Sequence, residues 1–296
     1  MTELYCLGPI FGAMTLHLIS AAGHWPLFLA LLLAAGCQSA GHPASALMPA
    51  AAAHNPAALA AGSAQQAPLP DSLRLTPVPP VAGVPDTLHQ VIARLYQQLG
   101  ADTTDLRLPV LEQACVGYLT LHPSGRIERA GVLAVADMDL PNTRKRLWVI
   151  DLQQGKILGN SLVAHGEGSG HLRARHFSNQ PSSNCTSLGF YRTAGTYGGK
   201  HGYSRRLLGL DKEQNANAFD RYVVLHAADY ASPAYVQAHG HLGYSRGCPA
   251  LPPAQYRQII SELRTGSMLL VSGPGMASRW LDGPAAGRRF ARRGWR

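Results

Sequence analysis

The most informative stretch of this chain is His239-Gly-His-Leu-Gly-Tyr-Ser-Arg-Gly-Cys248-Pro-Ala-Leu251, in which one cysteine lies between a glycine and a proline. A cysteine with these neighbours lies on an irregular turn, where backbone amides can point at a ligand instead of closing a strand ladder. Just upstream, Tyr222-Val-Val-Leu-His226 is a short apolar run that predicts a buried strand with a histidine at its end. A nucleophile with an oxyanion site requires this combination of groups.

Cys248 and His226 are therefore the candidate nucleophile and general base. A free thiol is only slightly ionised at neutral pH, and a neighbouring imidazole lowers its pKa and carries its proton during acyl transfer. A core cysteine and a hydrogen-bonded histidine are the plain structural alternative. Ser245, Arg246 and Gly247, which complete the turn before the cysteine, favour the catalytic interpretation.

The composition indicates one catalytic domain with an extension at each end. The chain has 296 residues and a net charge of +9, and six arginines lie in its last eighteen residues. The body is thus only mildly basic, and no motif favours a nucleic-acid partner. Residues 276–296 are predicted to be a solvated, disordered basic tail. Attraction of this tail to an anionic envelope surface is the alternative.

The N-terminus predicts export. Residues 25–35 form an apolar stretch of signal-peptide length that is too short to span a bilayer. It leads into Leu33-Ala-Ala-Gly-Cys37, which resembles the lipobox of bacterial lipoproteins. We predict a signal peptide over residues 1–36 and lipidation of Cys37, with simple signal-peptide cleavage as the alternative. The same resemblance, with Gln38 after the cysteine, indicates a periplasmic protein anchored by its lipid in the outer membrane.

The following segment is predicted to be a tether. Residues 37–85 are rich in Ala and Pro, and they cannot bury enough apolar surface to offset the entropy of ordering. The folded domain is predicted over residues 86–275. Its first helix has Asp86 as its cap and ends before Gly100, and a second helix begins at Pro109.

The rest of the domain is predicted to be mostly β-structure, which gives a β-dominated α+β fold. A turn at Gln153-Gln-Gly155 predicts a hairpin, whereas residues 165–220 are rich in Gly, Ser, Asn and His and are predicted to be a functional loop region. A helix is predicted from Pro253 to Gly266. The predicted strands are residues 131–135, 146–152, 156–164 and 267–271.

Two other groups of potential ligands have plainer interpretations. Cys115 is predicted in the core and Cys185 in a polar loop, and the sequence leaves open whether they form a disulfide. His239-Gly-His241 contains the H-x-H element of some zinc enzymes, but zinc needs three or four converging ligands and no partner motif is found. We predict neither a metal nor a cofactor.

Residues from about 110 to 273 resemble the murein L,D-transpeptidase catalytic-domain family, a branch of the YkuD-like enzymes. Several blocks occur in the order of the family, which is more specific than any single motif. The blocks are Arg146-Leu-Trp-Val-Ile-Asp-Leu152, Val163-Ala-His-Gly-Glu-Gly-Ser-Gly170, Phe177-Ser-Asn179, Thr186-Ser-Leu-Gly-Phe190, Gly199-Lys-His-Gly-Tyr-Ser204, Gly209-Leu210, Asn217 with Arg221, Val224-Leu-His226 and Ser245-Arg-Gly-Cys-Pro-Ala-Leu251.

The resemblance implies a β-sandwich or mixed-sheet catalytic domain with flanking short helices. It also implies a reaction on peptidoglycan stem peptides, in which Cys248 attacks the carbonyl of a diaminopimelate residue and expels D-alanine. An amine or water then resolves the thioester. His226 is implied as the base, and the amides of Gly247 and Cys248 as oxyanion donors.

One position departs from the pattern of the wider superfamily. Arg246 replaces a histidine, and an arginine cannot act as a base. It would instead hold a stem-peptide carboxylate, or else fold back on the loop as a surface residue. Four further side chains are predicted to line the cleft and bind substrate: His201, Lys200, His165 and Tyr244.

Two other functions stay open. The same site with water as acceptor would make an L,D-carboxypeptidase or a hydrolase of murein cross-links. The other possibility is not an enzyme but a catalytically silent, murein-binding lipoprotein. The arginine at position 246 is the best sequence argument for it.

Overall fold

The computed structural model describes residues 74–296. The predicted signal peptide, the predicted lipidation site Cys37 and most of the predicted tether lie outside the described residues. The helices are α1 (Asp86–Gln98), α2 (Leu108–Leu121), α3 (Pro233–His239), α4 (Tyr256–Glu262) and α5 (Gly283–Arg293). The strands are β1 (Val132–Asp137), β2 (Leu147–Asp151), β3 (Lys156–Ser161), β4 (Gly189–Gly199), β5 (Gly202–Gly209), β6 (Val224–Ala227), β7 (Ala250–Leu251) and β8 (Met268–Ser272).

The strands form one mixed sheet in the order β3-β2-β1-β8-β4-β5-β6-β7. The pairs β1–β8 and β6–β7 are parallel, and all other neighbouring pairs are antiparallel. The fold is therefore α+β and rich in strands, as predicted. The hairpin predicted at residues 153–155 is confirmed by the antiparallel pairing of β2 with β3.

The central strands are apolar on both faces because both faces of the sheet are covered. Along β1, Leu133 and Val135 contact the core formed with α1, α2 and α5, whereas Val132 and Ala134 belong to a second core that includes Ile259 of α4. This alternation follows from the two-residue period of a strand. Cys115 lies fully buried in the first core, as predicted.

The last strand of the sheet occupies its centre. Strand β8 was predicted as a closing strand, and it lies between β1 and β4. All five of its residues are buried. An apolar run predicts such burial, but its place in the strand order depends on contacts with segments more than 70 residues away along the chain.

The prediction of a loop region over residues 165–220 is wrong in its second half. Strands β4 and β5 lie there and pair as a long antiparallel hairpin from Tyr191–Gly209 to Gly199–Gly202. Glycines and polar residues interrupt the hydrophobic run of both strands. The pairing, rather than the residue pattern, identifies them.

Both predicted extensions are shorter than expected. Residues 283–293 form helix α5 instead of a disordered tail, and the side chain of Asp282 caps this helix by accepting a hydrogen bond from the amide of Ala285 at 2.9 Å. The helix packs on α2, where the hydroxyl of Tyr118 donates to the carbonyl of Trp295 at 3.1 Å. The sequence pattern did not reveal this because the arginines dominate the composition of the segment.

The predicted tether also ends earlier than residue 85. Val81 is buried, and the amide of Thr76 donates to the carboxylate of Asp139 at 2.6 Å. Residues 76–85 therefore belong to the packed domain. Pro85 occupies the N-cap position of α1, so Asp86 is the first helical residue and not its cap. Within residues 74–296, none of the helices combines the length and hydrophobicity that crossing a bilayer requires.

Candidate active site

The edge of the sheet formed by β6 and β7 positions the cysteine and the histidine. The two strands run parallel, with His226 opposite Ala250. Cys248 precedes β7 by two residues, and its thiol lies beside the start of β6. The amide of Val224 donates to Sγ at 3.5 Å, and the thiol donates to the carbonyl of Tyr222 at 3.6 Å. The thiol is thus held by backbone groups of the strand that carries the histidine.

His226 is buried and its protonation is defined by its surroundings. Its Nδ1 lies 2.9 Å from the carbonyl of Ala227, so Nδ1 carries the proton and Nε2 is left with a lone pair. Burial lowers the pKa of the imidazole, and the nearby His201 lowers it further. The ring is therefore neutral at pH 7 and is in the form that accepts a proton.

The thiol of Cys248 is subject to opposing effects. Burial holds its pKa above the ordinary value of a thiol, and the amide of Val224 and the charge of Arg221 offset only part of this rise. The structure records no hydrogen bond between Cys248 and His226 in the described part of the chain. The direct Cys–His contact stays a prediction, and Cys248 lies on the turn that leads into β7, the strand paired with the strand of His226.

Ser245 closes the turn before the cysteine. Its Oγ accepts a hydrogen bond from the amide of Gly247 at 3.0 Å and donates to the carbonyl of Cys248 at 2.6 Å. This bond changes one predicted role, because the amide of Gly247 is already used and is not free to bind an oxyanion. The amide of Cys248 has no hydrogen-bond partner among the described residues, which makes it the available donor of the two.

A second segment supports the turn from behind. The amide of Ser245 donates to the carbonyl of His165 at 3.0 Å, and the amide of Glu167 donates to the carbonyl of Ser245 at 2.9 Å. Gly166 lies between them against the backbone of residues 184 and 247, and a side chain there would collide with the carbonyl of Asn184. An isolated parallel β-bridge between Gly166 and Ser245 therefore holds the turn in place.

His165 does not line a cleft, contrary to the prediction. It is fully buried, and its Nδ1 accepts from the guanidinium of Arg146 at 2.7 Å while its Nε2 donates to the carbonyl of Gly170 at 3.0 Å. Burial and the neighbouring Arg146 charge lower the pKa of His165 to about 3. It therefore supports the segment that holds Ser245.

The remaining predicted residues lie nearer the surface. His201 is exposed in the turn between β4 and β5, and its ring centroid lies 4.4 Å from that of His226. Lys200 is the exposed residue before it. Arg246 is exposed and has no hydrogen-bond or ionic partner within residues 74–296. Tyr244 is half-buried, with its hydroxyl 3.4 Å from Nδ1 of His241.

Arg221 is a neighbour of the cysteine to which the sequence pattern assigns no role of its own. It belongs to one of the family blocks, and its guanidinium lies against the Gly247–Cys248 turn. Its position immediately before an apolar strand was the only available signal. The hydrogen bonds that place it come from a segment about 40 residues upstream.

Neither a disulfide nor a metal-ligand cluster occurs in the described region. Cys115 and Cys185 are both free thiols, so the disulfide that the sequence left open between them is not formed in this structure. Residues 74–296 contain no group of three or more His, Cys, Asp or Glu side chains that could hold a metal ion. His239 and His241 instead contact aromatic rings, and the ring of His239 stacks on Tyr235 at 3.9 Å.

Comparison with known proteins gives one strong match. A family model described as the L,D-transpeptidase catalytic domain matches residues 102–271, a range that contains all of the strands described above except the last residue of β8. The search of curated proteins found no match.

Solved structures show weaker similarity. An L,D-transpeptidase from Mycobacterium smegmatis is 17% identical, with 49% of this chain and 59% of that chain covered and a TM-score of 0.32. The helical cell shape determining protein Pgp2 from Campylobacter jejuni is 12% identical, with 60% and 63% covered and a TM-score of 0.36. This chain thus spans about three fifths of the length of both.

Proposed function

Because this chain belongs to the L,D-transpeptidase catalytic-domain family, we propose that it is a peptidoglycan L,D-transpeptidase whose nucleophile is Cys248. The observation that supports this assignment best is the parallel pairing of β6 with β7. It brings the Cys248 thiol to the first residue of the strand that carries His226. A thiol on a turn and a neutral imidazole on the adjacent strand are the two groups that acyl transfer through a thioester requires.

In the proposed first step, His226 accepts the thiol proton at Nε2 and the thiolate attacks the carbonyl carbon of a diaminopimelate residue. A C–S bond forms as the carbonyl oxygen takes up the electron pair. The amide of Cys248 donates to that oxygen. When the tetrahedral intermediate collapses, the C–N bond breaks and the imidazolium returns its proton to the leaving amine of D-alanine.

In the proposed second step, an amine of a neighbouring stem peptide attacks the thioester. A C–N bond forms, the C–S bond breaks, and the proton of the amine passes through His226 to the sulfur, which restores the thiol. Attack by water would give a shortened stem peptide instead, which is the carboxypeptidase alternative. The guanidinium of Arg246 is exposed and has no partner in the part of the chain that the structure describes, which supports a role in binding a stem-peptide carboxylate. The ring of His201 lies beside that of His226 and extends the proposed substrate surface, to which we also assign the exposed Lys200 that precedes it.

The proposal includes a place in the cell. We assign the protein to the periplasm, with a lipid at Cys37 that anchors it to the outer membrane. The sequence before the domain supports this through its lipobox-like segment. Metabolic labelling with a fatty acid would test it, since Cys37→Ala should lose the label.

Incubation of the purified protein with a disaccharide tetrapeptide tests the function directly. We expect a cross-linked dimer and free D-alanine, and the loss of both in Cys248→Ala. Cys185→Ala is the matched control, because its side chain is not used in the proposed chemistry. Accumulation of tripeptide without dimer would support the hydrolytic alternative. Unchanged substrate together with a Cys248 that no thiol reagent labels would support the silent murein-binding protein.

A further inference from the structure

Arg221 has a positive charge that neutral groups surround. Its guanidinium donates to the carbonyl of Ser178 at 2.8 Å, to the hydroxyl of Ser187 at 3.1 Å and to the carbonyl of Cys185 at 2.7 Å. None of these acceptors carries a charge, and no carboxylate pairs with Arg221 within residues 74–296. A half-buried charge without a counterion favours an anion beside it.

The turn that carries the thiol lies directly against this guanidinium. A Cβ atom built on Gly247 would be 2.9 Å from Nη2 of Arg221 and 2.6 Å from the carbonyl oxygen of Cys185. Gly247 also has a φ of +113°, which disfavours a side chain. The absence of a side chain at position 247 therefore allows the turn to pack against the guanidinium of Arg221. Because Cys248 is the next residue, its backbone lies close to the same charge.

We propose that Arg221 is a positioning residue that stabilises the thiolate of Cys248 and is the counterion of the site. When the thiol proton moves to Nε2 of His226, the new negative charge lies on sulfur and the new positive charge on the imidazole. Arg221 keeps its own proton throughout. It lowers the free energy of the ionised pair, and it reduces the rise in the pKa of Cys248 that burial causes.

The same side chain ties the segment of residues 178–187 to the nucleophile turn. Its acceptors, which also include the hydroxyl of Ser183 at 3.5 Å, all come from that segment. A purely structural role would require only these hydrogen bonds, whereas the proposed role requires the charge. Substitutions that separate charge from hydrogen bonding therefore decide between the two.

The test is the pH dependence of Cys248 alkylation by iodoacetamide in the full chain, followed by peptide-resolved mass spectrometry because other cysteines are present. This measurement needs no peptidoglycan, so it rests on the proposed function only through the identity of the reacting thiol. For Arg221→Gln we expect the alkylation midpoint to rise by about one pH unit, with an approximately tenfold lower rate at pH 7 and the same limiting rate at high pH.

Arg221→Lys keeps the charge and loses the planar fork, so its midpoint should remain near that of the wild type. Arg206→Gln is the matched control, since Arg206 lies over the rings of Tyr197 and Phe219 and its loss should leave the midpoint unchanged. A Gln variant that folds and titrates like the wild type would overturn the proposal. So would a folded Lys variant whose midpoint rises, and this second result decides the matter if the Gln variant does not fold.

The two proposals fail separately. A shifted midpoint in an enzyme that never cross-links tetrapeptide would leave the role of Arg221 intact and refute the transpeptidase assignment. Normal cross-linking with an unshifted midpoint in Arg221→Gln would do the reverse.

Discussion

The hydroxyl of Ser245 donates to the carbonyl of Cys248 at 2.6 Å while it accepts from the amide of Gly247 at 3.0 Å. One side chain thus closes the turn from Ser245 to Cys248 through two hydrogen bonds. The amide of Cys248 stays without a partner among residues 74–296. The turn is therefore preorganised before any substrate binds, which is the condition under which a backbone donor stabilises an oxyanion at little cost.

Ser245→Ala should weaken both stability and activity. It leaves a buried amide and a carbonyl unsatisfied, which costs about 1–3 kcal/mol of the free energy of unfolding. Cross-linking should fall further than the remaining folded fraction explains, because the turn loses its closure. Urea unfolding and turnover measure the two effects. Ser261→Ala is the control, since its exposed hydroxyl donates to the carbonyl of Gln258 within α4 at 2.8 Å. Equal losses in both variants would contradict the assigned role.

Gly247→Ala should impair activity more than folding. The added methyl would meet the carbonyl of Cys185 and the guanidinium of Arg221, and it would also strain a backbone with a φ of +113°. A displacement of the turn by about 1 Å is enough to reduce turnover by roughly 100-fold. Gly195→Ala provides the comparison, because nothing lies within 4 Å of a Cβ there. Full turnover in Gly247→Ala would show that the turn tolerates the shift.

Stability should fall as the pH is lowered from about 6.5 towards 3. The pKa of His165 is about 3 in the folded protein, so the unfolded chain binds one more proton than the folded chain across this window. The contribution of neutral His165 to the free energy of unfolding is therefore complete above the pKa of this histidine in the unfolded chain. It is lost as the pH falls below that value, with a slope of up to about 1.4 kcal/mol per pH unit. The lowered pKa of His226 adds in the same direction.

Urea unfolding at pH 7 and pH 4.5 measures this loss of stability. His165→Gln should show a smaller difference between the two pH values, because glutamine can hydrogen-bond but does not titrate. His176→Gln, at an exposed position, should retain the wild-type difference. The explanation is wrong if His165→Gln loses as much stability at pH 4.5 as the wild type.

The C-terminal helix should be part of the cooperative fold. Phe290 packs against the first core and contacts the ring of Trp295 at 4.8 Å. Phe290→Ala should therefore lower the free energy of unfolding by about 1–3 kcal/mol, in proportion to the apolar area that it loses. Arg293→Ala on the exposed face should change it by less than about 0.5 kcal/mol. Thermal unfolding of the two variants measures the difference. Equal unfolding midpoints for Phe290→Ala and Arg293→Ala would support a solvated tail instead.

The helices α1 and α2 and the hairpin of β2 and β3 could be predicted because their residues carry a local period. Leu88, Ile92 and Leu95 recur at helical spacing on the buried face of α1, and a strand pair joined by a short turn needs no distant partner. In β4, β5 and α5, glycines and arginines interrupt the hydrophobic periodicity by which a strand or helix is predicted. Those elements depend on partners that the local pattern does not reveal.

Local patterns were sufficient to identify the residues that could carry the chemistry, since one cysteine lies on a Ser-Arg-Gly-Cys-Pro turn and one histidine ends an apolar strand. The environment of these groups depends on the folded chain. Folding buried His165 against Arg146, committed the amide of Gly247 to Ser245 and brought Arg221 against the turn. These contacts join residues far apart along the chain, and burial then sets their hydrogen bonds and pKa values, which a local pattern cannot express.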